Sequence, residues 1–259
     1  MSVARRIGPP GRVTTVLAAK SGCGKTTLAT NLAALLGAGG VRSVCLVDLD
    51  LAFGDVANML DIEPQRTLAD GIPLTGSLHQ SNVHTVLTTT SAGFDCVLAP
   101  TEPGEAEQVP VALIGKLLTK LSWLYDHVVV DTSAHVTVHT LAALDHAHQH
   151  VLLTAPDRPA LSSMRRTLDM LDMLPYDRIP RHVVLNRCDS RIGLETSDIE
   201  EVLKHQVAAE LPFAWEVTAA VNIGVPLAAL RPDHQYTEAL RRFIAAHIAA
   251  PRFSRDPQA

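Results

Sequence analysis

Val13-Thr14-Thr15-Val16-Leu17-Ala18-Ala19 runs into Lys20-Ser21-Gly22-Cys23-Gly24-Lys25-Thr26-Thr27 and on into Leu28-Ala29-Thr30-Asn31-Leu32-Ala33. The three pieces read as an apolar strand, a glycine loop and an amphipathic helix. Gly22 and Gly24 permit backbone conformations that aim N–H groups inward at phosphate oxygens, and the helix start adds a positive partial charge beneath them. Ser21, Cys23 and Thr27 complete the cradle. Lys25 is placed to reach the terminal phosphates of a nucleotide, and the Thr26 hydroxyl to ligate Mg²⁺. A glycine-rich turn with a solvated lysine is the plain alternative, and the strand–loop–helix order weighs against it.

Outward from this loop, short runs rich in Val, Leu and Ile predict strands over 13–19, 43–48, 94–99, 127–131, 150–154 and 182–186. Segments of helical spacing lie between or after them, over 25–36, 105–121, 138–147, 160–174 and 196–204. That alternation predicts an α/β fold, a doubly wound and mostly parallel sheet flanked by helices. Gly37, Gly39 and Gly40 stop the first helix, while residues 62–90 carry Gly71, Pro73 and Gly76 and show no clear period. A single domain over 13–250 is expected, with 1–12 as a flexible lead and 251–259 as a flexible tail.

Composition narrows the class. Of 259 residues, 47% are hydrophobic and 19% charged, as in globular proteins, yet no apolar run reaches the roughly 18 residues of a membrane span. A soluble, cytoplasmic protein is expected. The net charge of −5 gives no global attraction to nucleic acid. Cys23, Cys45, Cys96 and Cys188 form no C-x-x-C pair, which excludes a zinc ribbon, an iron–sulfur site and a disulfide frame. Cys23 sits at a helix N-terminus, where a thiol pKa falls, so an alkylation-sensitive thiol is weighed against an ordinary loop position, and the ordinary position is favoured. The histidines at 135, 139, 146, 148 and 150 lack a carboxylate at metal-ligand spacing. The segment 236–244 is amphipathic and reads as packing on the sheet rather than membrane contact, and Arg165-Arg166 reads as a solvated helix face before it reads as a DNA contact.

Three acids close apolar strands. Leu46-Val47-Asp48-Leu49-Asp50 puts Asp48 and Asp50 on one side at the carboxyl edge, where α/β sheets bind ligands. Val128-Val129-Val130-Asp131 ends in an acid suited to contacting Mg²⁺ through water. Strand-end acids are also ordinary turn residues and helix caps; it is their company with the loop that favours a metal site.

The loop resembles that of the deviant Walker A ATPases, the ParA/MinD superfamily, which reads K-G-G-x-G-K-[TS]; Lys20 stands at the signature lysine and Ser21 at the first glycine. The resemblance implies a homodimer that sandwiches two ATPs, with Lys20 reaching across to the partner's phosphates. It further implies that Asp48 holds the Mg²⁺ hydration shell and that Asp50 orients the attacking water, so that Lys20, Lys25 and Asp50 form the catalytic set. Val183-Val184-Leu185-Asn186-Arg187-Cys188-Asp189 superficially looks like the guanine-reading N-K-x-D, but the resemblance makes Asn186 an adenine contact with Arg187 beside the base and Pro212-Phe213 on its other edge. ATP and Mg²⁺ are the implied cofactors. Thr132-Ser133-Ala134 departs from the family's Pro-Pro-Gly-like switch II, which implies slow hydrolysis.

Longer stretches are similar to the CpaE/TadZ branch of Flp/Tad-type pilus and secretion systems: Phe53-Gly54-Asp55-Val56, Leu60-Asp61-Ile62-Glu63-Pro64, Thr67-Leu68-Ala69-Asp70-Gly71, Leu98-Ala99-Pro100 and the region 217–227. Pilus or secretion-system proteins are the implied partners, with recruitment to the inner face of the membrane or a cell pole. A partition ATPase that binds DNA nonspecifically, and a nucleotide-bound scaffold with negligible turnover, are the alternative readings.

Overall fold

Strands buried on both faces should be apolar at every position rather than at alternate ones, and β1 (Arg12–Ala18), β2 (Val44–Leu49), β5 (His127–Thr132) and β6 (Gln149–Thr154) are buried along nearly their whole length. In the computed structural model, which describes residues 9–102, 104–176, 178–189 and 193–249, they join β3 (Thr88–Thr89), β4 (Asp95–Val97), β7 (Arg181–Cys188) and β8 (Val207–Pro212) in one sheet. The order is β3-β4-β2-β5-β1-β6-β7-β8, with every pairing parallel except β3 with β4. β1 lies at the centre. The chain leaves it for β2 on one side and later returns to β6 on the other, so the crevice beyond its carboxyl end is the switch point where such sheets bind ligands.

Alternation sends Val16, Val151 and Val184 to one face and Leu17, Leu152 and Val183 to the other. On the first face α1 (Lys25–Gly37) and α10 (Gln235–Phe243) bring Leu28, Leu32, Leu240 and Phe243 onto the sheet. The opposite face is covered by α4 (Val111–Ser122) and α5 (Val138–Asp145) over one half and by α6 (Arg158–Asp172) and α7 (Thr196–Leu203) over the other. Tyr236, Leu240, Phe243 and Ile244 are all buried, so the amphipathic segment does pack inward. Asn31, buried in α1, accepts the Ala228 N–H at 2.8 Å and ties that helix to α9 (Leu227–Leu230).

Several elements depart from the sequence expectation. The helix expected over 105–121 is two, α3 (Glu105–Gln108) and α4, because Pro110 disfavours helical backbone at Val109 and lacks an N–H to continue the ladder. β8 went unforeseen; its Val-Ala-Ala-Glu-Leu-Pro is an edge strand of low strand propensity, half exposed. The short helix α2 (Val56–Met59) and α8 (Trp215–Asn222) were also missed. The irregular region 62–90 becomes two 3₁₀ turns, Leu68–Leu74 and Val83–Val86, and the first is capped reciprocally by Thr67 and Asp70. The proposed lead and tail, apart from residues 9–12, lie outside the described residues.

Two of the histidines serve the fold. His148 accepts the Val13 N–H at 3.0 Å and His150 pairs with Thr15 at 2.7 Å, burial holding both imidazoles below their usual pKa. Among the described residues no helix is long and apolar enough to cross a membrane.

Candidate nucleotide-binding site

The loop between β1 and α1 curls back over the sheet's carboxyl edge through two left-handed glycines, Gly22 at φ +79° and Gly24 at φ +93°. Gly24 is the N-cap of α1 and no side chain caps the helix, so its first N–H groups have no side-chain acceptor. The two loop lysines differ in burial. Lys25 is buried, its Nζ 3.1 Å from Asp131 Oδ1, whereas Lys20 is exposed. Cys23 is buried, and that burial, with Asp157 nearby, raises its thiol pKa rather than lowering it. This agrees with the ordinary loop position and not with the reactive thiol: the helix start is outweighed by desolvation.

Asp48 and Asp131 are register neighbours on β2 and β5, facing the start of α1. Both are buried. Asp131 Oδ2 has no partner, although an orphaned carboxylate oxygen is costly. Asp48 is anchored at both oxygens: Oδ1 accepts the Asp50 N–H at 3.0 Å and Oδ2 the Val56 N–H at 3.2 Å. Asp50 itself is half-buried at the edge. Burial, and then the neighbouring Asp131, push the Asp48 carboxyl well above the usual carboxylate range. Burial likewise raises Asp131 against the opposing pull of Lys25 and the Thr26 hydroxyl. Lys25 opposes the upward shift at both buried acids while contacting only Asp131. An unpartnered buried oxygen beside a second carboxylate and the Thr26 hydroxyl is a hard, oxygen-only donor set of the kind Mg²⁺ accepts.

Gly54 explains how the loop after β2 is pulled over Asp48. A Cβ at that position lies 2.4 Å from Ala99 Cβ and 2.7 Å from Asp48 Oδ2. Gly54→Ala is therefore expected to destabilise the protein by about 1–3 kcal/mol, as overpacking does. Urea unfolding checks this, and an unchanged midpoint would show that the loop yields freely.

Beside the phosphate loop a cavity of about 300 Å³ is lined by Gly24, Thr27, Asn186, Arg187, Pro212 and Phe213, the residues singled out in the sequence, together with Met59, Val217, Thr218, Val221 and Tyr236. Arg187 adopts φ +61° at the end of β7, and Phe213 is half exposed at the rim. The structure brings all the expected site residues to one edge, with Lys20 and Ser21 on its solvent side. The additional wall residues come from α2, α8 and α10, whose own spacing marks them only as core.

The model of the CobQ/CobB/MinD/ParA nucleotide binding domain matches residues 14–227. The chain belongs to this family. Among relatives, the septum site-determining protein MinD of Thermotoga maritima is 24% identical over 225 residues, 84% of this chain and 81% of that one. Among solved structures, a ParA family ATPase from Chlorobium tepidum superposes with a TM-score of 0.85 at 21% identity, covering 93% of this chain and 99% of the other. MinD from Pyrococcus horikoshii, solved with Mg-ADP, gives 0.77 at 20% identity, covering 90% and 94%. The fold is that of the ParA/MinD P-loop ATPases.

Proposed function

We propose that the chain is a Mg-ATP-dependent dimerising ATPase of the deviant Walker A type. The observation that supports this reading is the difference in burial between the two loop lysines. Lys25 lies in its own site against Asp131, while Lys20 stands in solvent, where it can serve a second subunit. The N–H groups of residues 22–27 and Lys25 hold the β- and γ-phosphates. Thr26, Asp48 and Asp131 would hold Mg²⁺, which would supply positive charge against the phosphate oxygens. Asp50 orients water for attack on the γ-phosphorus. The bond to the bridging oxygen breaks, ADP leaves, and inorganic phosphate carries the new oxygen; Lys25 and the partner's signature lysine offset the charge. Adenine occupies the cavity between Asn186-Arg187 and Pro212-Phe213.

Within the superfamily we assign the chain to the CpaE/TadZ branch, a localisation or assembly factor for a Flp/Tad pilus or secretion system, on the stretches 53–56, 60–64, 67–71 and 98–100. The DNA-partition reading finds less support. Arg165 is engaged by Asp169 and the Leu203 carbonyl, so this guanidinium is already paired with a carboxylate.

Light scattering with and without Mg-ATP, alongside a phosphate-release assay, tests the reading. The wild type is expected to double in mass with ATP and release phosphate, while Lys20→Ala stays monomeric yet still binds ATP. A mass that ignores ATP, with no phosphate released, overturns the switch and leaves a static nucleotide-bound scaffold.

A further inference from the structure

Asn186 ends the buried part of β7, and its carboxamide does two things. Nδ2 donates to the Cys23 carbonyl at 2.8 Å. Oδ1 accepts the N–H of Arg187 at 3.0 Å, which fixes the end of the amide that faces the loop. Arg187 makes that bond from a left-handed backbone, φ +61°, unfavourable for a residue with a Cβ. The fit on the loop side is equally close: a Cβ on Gly24 lies 2.7 Å from Asn186 Nδ2. Glycine alone lets the amide lie there. The carboxamide therefore touches the two residues immediately before Lys25.

A trans peptide is planar, with its C=O and N–H antiparallel. Pulling the Cys23 carbonyl toward Asn186 turns the Gly24 N–H the opposite way. We propose that Asn186 is a positioning residue of the phosphate loop. Its carboxamide, oriented by the Arg187 N–H, braces the Cys23–Gly24 peptide so that the Gly24 N–H faces the phosphates, whichever base the nucleotide carries. The inference rests on the reading of this loop as a phosphate site, but it gives Asn186 a role separate from base contact.

Calorimetric titration with Mg-tripolyphosphate, which has no base, separates the two roles when compared with Mg-ATP and Mg-GTP. In Asn186→Ala the affinities for all three are expected to fall by a similar factor, about tenfold, as for a lost hydrogen bond that leaves a carbonyl unpaired. Asn186→Leu, which keeps most of the volume against Gly24, should behave alike. If ATP binding weakens while tripolyphosphate binding holds, or if the ATP-to-GTP ratio collapses, Asn186 reads the base and the brace is wrong. Should both variants fail to fold, Asn186 is needed by the sheet itself and the proposal is again overturned. Failure of the wild type to bind either ATP or tripolyphosphate refutes the nucleotide reading, independently of any variant.

Discussion

Lys25→Met is expected to weaken Mg-ATP binding by about 10²–10⁴-fold, since it removes two charge-assisted hydrogen bonds to phosphate. It is also expected to destabilise the ligand-free protein in a pH-dependent way. Methionine retains the apolar stem and deletes only the cation that lies 3.1 Å from Asp131. Without it, Asp131 and its register neighbour Asp48 are two adjacent buried acids that have lost this cation. Breaking a buried pair costs about 3–5 kcal/mol when the remaining group stays charged. Both carboxyls have folded pKa values raised above the ordinary carboxylate range. A raised folded value means the native state binds protons more tightly than the unfolded chain, so the associated stability is present at low pH and is lost as pH rises through the folded pKa. The deficit of the variant is therefore expected to be small near about pH 5.5, where protons replace the lysine, and largest near about pH 8.5. Urea midpoints at the two pH values, beside calorimetry with Mg-ATP, check both halves. A deficit that does not change with pH would mean that Lys25 acts through packing alone.

This dependence on protonation is the part of the site the sequence could not supply. The loop from Lys20 to Thr27 was legible because its chemistry is written in consecutive residues: two glycines for the turn, a lysine and a threonine at the helix start. Asp48 and Asp131 were legible as acids closing apolar strands, and strand order then made them neighbours. Sequence gave no sign that Asp48 is held by the N–H groups of Asp50 and Val56, or that Gly54 must be small to allow it. Those contacts depend on the path of a loop. The cavity wall divides in the same way. Asn186 and Pro212-Phe213 follow strand ends, whereas Met59, Thr218 and Tyr236 reach the cavity from helices packed around α1. Cys23 shows a local rule overruled by tertiary burial: the helix terminus favours a thiolate, and desolvation reverses the sign. β8 was missed for a related reason. An Ala-Ala-Glu edge strand is specified by its pairing with β7, not by its own composition.

Asp50→Ala is expected to separate chemistry from binding, because the proposed mechanism gives the two strand-end acids different roles and only Asp48 anchors the loop. The backbone N–H of Asp50 donates to Asp48 Oδ1, a bond that alanine retains, so the loop from 50 to 56 keeps its anchor. Only the half-buried carboxylate that faces the loop's edge is lost. Hydrolysis is expected to fall by about 10²–10⁴-fold, the range for a group that activates water. ATP affinity should hold or tighten, since a negative charge near the phosphates is removed. If dimerisation follows ATP, as proposed, the dimer should then outlast that of the wild type. Asp48→Ala is the contrasting variant. It strips the acceptor from two backbone N–H groups, so ATP affinity and stability should fall together with the rate. Phosphate release and equilibrium binding measured on both variants decide the matter. If Asp50→Ala loses affinity in parallel with rate, Asp50 shapes the site rather than the water, and the attacking water must be oriented by another residue.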